Sequence, residues 1–246
     1  MILEFDAGNT RIKWRQLSVE SGLVLDEGVF ADLDAMLASP LADTRPLQVR
    51  MCSVRSAELT ERLRQWSAVV LGREAELAVV TRSCGGVSNQ YDDMSRMGAD
   101  RWLGMIAAYN RIQGACVVVD AGTALTIDVV SASGLHEGGY ILPGRRMMTS
   151  SLEANTAIRL RHIDSDSLDL GNDTDAAVLH GALASQVALV EWVLGRLSLD
   201  NRTPRIILTG GDADALLAGM ATPGAEIIPS LVLDGLAYAC PYTHTP

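Results

Sequence analysis

The hydrophobic pattern of the chain runs through one programme twice. Ile2-Leu3-Glu4-Phe5 is a short apolar run that ends on Asp6, and Cys116-Val117-Val118-Val119 is another that ends on Asp120. Each run meets a tight turn, Ala7-Gly8-Asn9-Thr10 or Ala121-Gly122-Thr123, and then an alternating stretch, Arg11-Ile12-Lys13-Trp14 or Leu125 to Val130. That pattern predicts strand, glycine-containing turn, strand. A third strand follows in each half, at 23–30 and at 135–141. Further strands are expected at 47–54, 75–80, 205–208 and 226–228. Helical spacing predicts helices over 33–38, 57–70, 101–112, 145–152, 174–197, to 217 after Thr209-Gly210-Gly211-Asp212-Ala213, and over 231–239. Between Thr81 and Gly98 the periodicity stops, and Gly85-Gly86, Ser88-Asn89 and Tyr91-Asp92-Asp93 mark an irregular loop. Structureless stretches of that length are usually functional or mobile.

The repeated word, Asp-Ala-Gly, suits phosphate chemistry. Backbone N–H groups in a tight turn can cradle a phosphate, and a neighbouring carboxylate can hold a divalent cation through water. Taken alone, each copy is an ordinary hairpin turn. Two copies, each after a buried-type strand and one per half, favour two similar half-molecules clamping one nucleotide across a cleft. The expected domains are 1–112 and 113–246. Asp100 stands where the irregular loop runs into a helix, so it reads either as an N-cap or as a residue of the cleft.

Composition narrows the field. The net charge is −10, which excludes bulk neutralisation of nucleic-acid phosphates. Apolar residues make up 48% and aromatics only 4%, so the core must be aliphatic. Cys52, Cys84, Cys116 and Cys240 are scattered without a CxxC pair and read as thiols of a reducing cytoplasm. The first residues lack a basic region and do not read as a signal peptide. The long apolar stretch from Ala176 to Leu197 is interrupted by His180, Gln186 and Glu191, and is expected to be a largely buried helix and no membrane span. All 20 basic residues except Lys13 are arginine. Lys13 leaves the first turn, where an ammonium can serve as a point charge on a phosphate.

The ordered set Asp6-Ala7-Gly8-Asn9-Thr10, Gly98-Ala99-Asp100-Arg101-Trp102, Asp120-Ala121-Gly122-Thr123-Ala124, Gly138-Gly139-Tyr140-Ile141-Leu142-Pro143-Gly144 and Thr209-Gly210-Gly211-Asp212-Ala213 resembles type III pantothenate kinase across the whole chain. The resemblance implies an α/β fold of two similar actin-like (ribonuclease H-like) domains. It implies phosphorylation of pantothenate by ATP, the first step of coenzyme A biosynthesis, by a homodimer that uses Mg²⁺ and a monovalent cation, K⁺ or NH4⁺. Carried over, Asp6, Ala7, Gly8, Asn9, Thr10, Arg11, Ile12 and Lys13 bind the ATP phosphates, with Asp6 on the metal and Thr123 a further ATP contact. Asp100 is the general base. Tyr91, Gly98, Ala99, Asp100, Arg101 and Thr174 meet pantothenate, and Asp120 holds the monovalent cation. The chain departs from the family at Thr156-Ala157-Ile158-Arg159-Leu160, where many members continue Thr-Ala-x-Leu-Pro. Rival readings are another small-molecule kinase or a polyphosphatase of the same superfamily, and a non-catalytic regulator.

Overall fold

A computed structural model describes residues 1–161, 165–200 and 202–242. The chain forms two compact units. Residues 1–107 and 230–246 make the first, and 108–229 make the second.

The first unit is built on a sheet of strand order β3-β2-β1-β4-β5. Its strands are β1 (Ile2–Ala7), β2 (Ile12–Leu17), β3 (Val24–Phe30), β4 (Gln48–Ser53) and β5 (Ala75–Leu77). β1 pairs antiparallel with β2, and parallel with β4, which is the crossover pattern expected once a helical connection intervenes. Helix α1 (Leu33–Leu37) lies between β3 and β4, and α2 (Ala57–Trp66) between β4 and β5. α2 was expected to run to residue 70; it passes instead into one π-helical turn, Ser67–Leu71, and stops at Gly72 in the left-handed region. Leu3, Phe5, Ala7, Ile12, Val49 and Met51 put one face of the sheet into an aliphatic core with Leu63 and Leu71.

The opposite face carries charge. Glu4 is fully buried and receives Arg15 Nε at 2.6 Å and Arg50 Nη1 at 2.9 Å. Arg15 also donates through Nη1 to Asp234 at 2.5 Å. Asp234 lies on α7 (Leu231–Ala239), the last helix, which covers this face together with α3 (Ala99–Ile112). The halves expected from the sequence placed 231–239 with the second meander. The structure places it in the first unit, because Val232, Leu233 and Leu236 pack with Cys52 and Leu103. Gly235 makes that packing possible: a Cβ there would lie 2.3 Å from the Leu103 carbonyl oxygen.

The loop before α3 is more regular than expected. It holds a small hairpin, β6 (Ser83–Cys84) and β7 (Val87–Ser88), turned by Gly85 and Gly86 at φ of 54° and 80°.

The second unit repeats the topology. Its sheet order is β10-β9-β8-β11-β12, from β8 (Cys116–Ala121), β9 (Ala124–Val130), β10 (His136–Pro143), β11 (Arg205–Thr209) and β12 (Ala225–Ile227). Helices α4 (Arg145–Asn155), α5 (Thr174–Leu199) and α6 (Ala213–Gly219) complete it. α5 has the length and hydropathy of a membrane span. One stripe of it, including Leu183, Val187, Val190, Leu194 and Leu197, fills the core against β8 and β11. It is less buried than expected, since Gly181, Ser185, Ala188, Trp192 and Gly195 face outward.

Candidate active site

In the first unit the phosphate-type turn joins β1 to β2, with Asp6 opposite Lys13 and Ala7 opposite Ile12. Ala7 and Ile12 are buried in the core, so only their backbones face a ligand. Asn9, Thr10 and Arg11 are exposed. Gly8 has no positive φ, and a Cβ there would meet nothing nearer than the Arg11 carbonyl oxygen at 3.5 Å. The chain's own packing therefore does not demand glycine at this position.

Asp6 points to the charged face, beside Cys52 on β4, its register partner. The Cys52 thiol is fully buried, and burial pushes its pKa well up; the carboxylates of Asp6 and Asp100 push it further. Cys52 also packs with Ala99 and Leu103, so the end of β4 lies against the helix that carries Asp100. Asp100 is the second residue of α3, one place inside the helix that was expected to start at 101. Its Oδ1 accepts the Arg101 amide at 2.8 Å, and a Cβ on Gly98 would lie 2.5 Å from that oxygen. Gly98 is thus the residue that leaves room for the Asp100 carboxylate.

Arg101 is buried, and its Nη1 donates to the Tyr91 hydroxyl at 3.1 Å with the guanidinium 5.9 Å from the ring centre. The loop that carries Tyr91 is pinned by Arg82, whose Nη1 donates to the carbonyls of Asn89 and Tyr91 at 2.9 Å each. Tyr91, Gly98, Ala99, Asp100 and Arg101 therefore belong to one constellation in the first unit.

The second turn is clamped by three glycines. The Gly122 amide donates to the Ala124 carbonyl at 3.1 Å, and the Gly144 amide to the Thr123 carbonyl at 3.0 Å. A Cβ on Gly144 would lie 2.3 Å from the Gly122 oxygen. Gly210, at φ +93°, comes so close that a Cβ would sit 2.4 Å from the Ala121 oxygen and 2.5 Å from Asp120 Oδ1. The Asp120 carboxylate is thus packed between Gly122 and Gly210, while Thr123 is exposed beside it. Asp212, whose amide donates to the Ala121 carbonyl at 2.9 Å, has its pKa raised by burial, with Arg145 opposing and Asp166 adding to the rise. Thr174 opens α5 in this unit, after the N-cap Asp173, next to a surface cavity of about 200 Å³ lined by Ser165, Asp173, Asp175, Ala176, Leu179 and His180.

The model of the type III pantothenate kinase family matches residues 2–196. A type III pantothenate kinase of Pseudomonas syringae pv. syringae is 41% identical over 98% of this chain and 99% of its own length. The chain belongs to the type III pantothenate kinase family. It is a kinase that transfers a phosphoryl group from ATP to pantothenate, in coenzyme A biosynthesis. Among solved structures, a conserved putative Baf family transcriptional activator from Campylobacter jejuni matches with TM-score 0.61 and 21% identity, covering 95% of this chain and 94% of that one. A putative 2-dehydro-3-deoxygalactonokinase from Sinorhizobium meliloti matches with TM-score 0.58 and 14% identity over 96% and 97%. Those two show the fold, two similar actin-like α/β domains, as expected.

Two residues beside the first turn escaped the sequence reading. Cys52 was taken only as a thiol, and Arg55 as one more arginine. A signal existed for both. β4 must run parallel to β1 after its crossover, so the residues at and just past its end lie beside the first turn.

Proposed function

We propose that the first unit carries the chemistry of the pantothenate kinase reaction, with Asp100 as general base. The observation behind this reading is that Cys52, the register partner of Asp6, packs with Ala99 and Leu103 of the helix that carries Asp100. Phosphoryl transfer asks a protein mainly for positioning and charge neutralisation, with a carboxylate to accept the hydroxyl proton. In this reading the amides of residues 8–11 bind the ATP phosphates, and Lys13, across from Asp6, adds a positive charge. Asp6 fits Mg²⁺: a single buried carboxylate facing a phosphate turn suits an ion that keeps most of its water and takes its other ligands from phosphates. That ion would neutralise phosphate charge. Asp100 orients the primary hydroxyl of pantothenate and takes its proton. Arg101, held by Tyr91, pairs with the pantothenate carboxylate as a guanidinium fork does.

In the second unit, Thr123 would contact ATP and Asp120 would hold K⁺ or NH4⁺. The close glycines on either side of Asp120 restrict that carboxylate to one position. Thr174 would supply a further contact to pantothenate. A homodimer is supported by apolar side chains exposed on the second unit: Ile141 at 61%, Met147 at 49% and Trp192 at 48%, with Tyr140 edge-on to Trp192 at 5.8 Å.

The test is a coupled ADP-release assay with pantothenate, with and without KCl. Asp100→Asn should keep the fold and lose ~10²–10⁴ in turnover. Asp120→Ala should lower activity and remove the response to potassium. Near wild-type turnover in Asp100→Asn would dismiss it as the base, and equal activity without potassium or ammonium would dismiss the cation.

A further inference from the structure

Arg55 lies two residues past the end of β4, just before Ser56, the N-cap of α2. Strand pairing carries on for one residue beyond β1 and β4, since the Val54 amide donates to the Ala7 carbonyl at 3.2 Å. That brings Arg55 against the first turn, where its Nε donates to the Gly8 carbonyl at 2.8 Å. The same guanidinium has a second feature. Its Nη2 is buried and has no hydrogen-bond partner, and Arg55 takes part in none of the ion pairs among the described residues. A buried charged donor without an acceptor is costly, and persists where function supplies the missing partner. Guanidinium nitrogens sit only roughly 2.3 Å apart in a rigid plane, so Nη2 lies beside the turn that Nε holds.

We propose that Arg55 is a phosphate-binding residue of this kinase: Nε fixes the Gly8 carbonyl, and Nη2 donates to a phosphate oxygen of ATP seated on the turn. The inference rests on the reading of residues 6–13 as the ATP phosphate site. Its chemistry is that of a planar fork with one prong on the backbone and one on the ligand. A carbonyl anchored in this way turns away from the ligand, which leaves the neighbouring amides to face it. Lysine cannot reproduce this, because a single ammonium cannot span both acceptors in a fixed plane.

The experiment measures KM for ATP, KM for pantothenate and thermal unfolding for Arg55→Ala, Arg55→Lys and, in parallel, Lys13→Ala, all at saturating potassium. Loss of one charge-assisted donor should raise KM for ATP roughly ten- to a hundredfold in both Arg55 variants. KM for pantothenate should stay within about twofold, and millimolar methylguanidinium should recover part of the ATP affinity in Arg55→Ala. If Arg55→Ala does not fold, Arg55→Lys carries the same expectation. An ATP KM within about twofold of wild type in a folded Arg55 variant, with Lys13→Ala impaired, overturns the role of Arg55 and leaves the ATP site in place. Equal increases for both substrates, without methylguanidinium rescue, overturn it in favour of a purely structural bond. Wild-type ATP kinetics in Lys13→Ala as well would remove the turn as the phosphate site, and the inference with it.

Discussion

Gly210→Ala should damage the second turn in a way that two other glycines, Gly211 and Gly224, calibrate. At Gly210 two costs add. Its φ of +93° is one that L side chains rarely adopt, and a Cβ would press on the Ala121 oxygen at 2.4 Å and on Asp120 Oδ1 at 2.5 Å. Backbone strain of this kind costs ~1–2 kcal/mol, and overpacking a rigid site adds ~1–3 kcal/mol. Gly224, at φ +89°, has nothing within 4 Å, so Gly224→Ala incurs the strain alone. Gly211 has neither a positive φ nor a neighbour within 4 Å, and Gly211→Ala should fall within ~0.5 kcal/mol of wild type. At ~2–4 °C per kcal/mol for a chain of this size, Gly210→Ala should lose roughly 4–20 °C in Tm and Gly224→Ala roughly 2–8 °C. Thermal unfolding by circular dichroism reads the series, and ADP release reads its functional side. Turnover should fall only in Gly210→Ala, because only there must the Asp120 carboxylate move. If Gly210→Ala melted with Gly211→Ala and kept its turnover, the close approach of residue 210 to the second turn would be refuted.

Lys13→Ala and Lys13→Arg should both lower kcat/KM for ATP, the first more severely, by about ten- to a hundredfold, with little change in Tm; wild-type ATP kinetics would leave the lone lysine a compositional accident. Glu4→Ala should cost about 3–5 kcal/mol, seen as a fall in the urea midpoint, because it leaves the buried Arg15 and Arg50 guanidiniums without their shared carboxylate. A midpoint unchanged within error would show that water reaches both arginines. Burial pushes Glu191 up, but the Thr222 hydroxyl and the amides of Thr222 and Ala221 outweigh it, so its pKa lies below the ordinary 4.5. The stability it contributes is present above that value and is lost as pH falls through the folded pKa. Glu191→Gln should therefore flatten the acid limb of stability below about pH 5, and an unchanged acid limb would contradict the clamp on residues 221–222.

The strands around the two turns were legible because each apolar run ends on an aspartate and is followed by strict alternation. Period and turn chemistry agree there, so little else could form. The turn residues with exposed backbone, and the helix carrying Asp100, followed from the same cues. What the sequence hid was long-range. An amphipathic helix such as 231–239 shows that it has an apolar face, not which sheet will cover it. Glu4, read only as part of an apolar run, is the hub of a buried ion network. Nothing in the sequence singled out Arg55, because its acceptor, the Gly8 carbonyl, is 47 residues away in the chain. The path of α2 into a π-helical turn left no pattern that a period of 3.6 could reveal.

The return of α7 to the first unit bears on synthesis. A ribosome delivers the chain from its N-terminus, and domains tend to fold as they emerge. Residues 108–229 make up the second unit, whereas 231–239, which belong to the first, follow it in the chain. Until then Arg15 lacks Asp234, and the face around Cys52 lacks Val232, Leu233 and Leu236. The unit that is made first can thus close last. A chain that stopped before residue 231 would leave Cys52 and Leu103 without the side chains of α7 that complete their cluster.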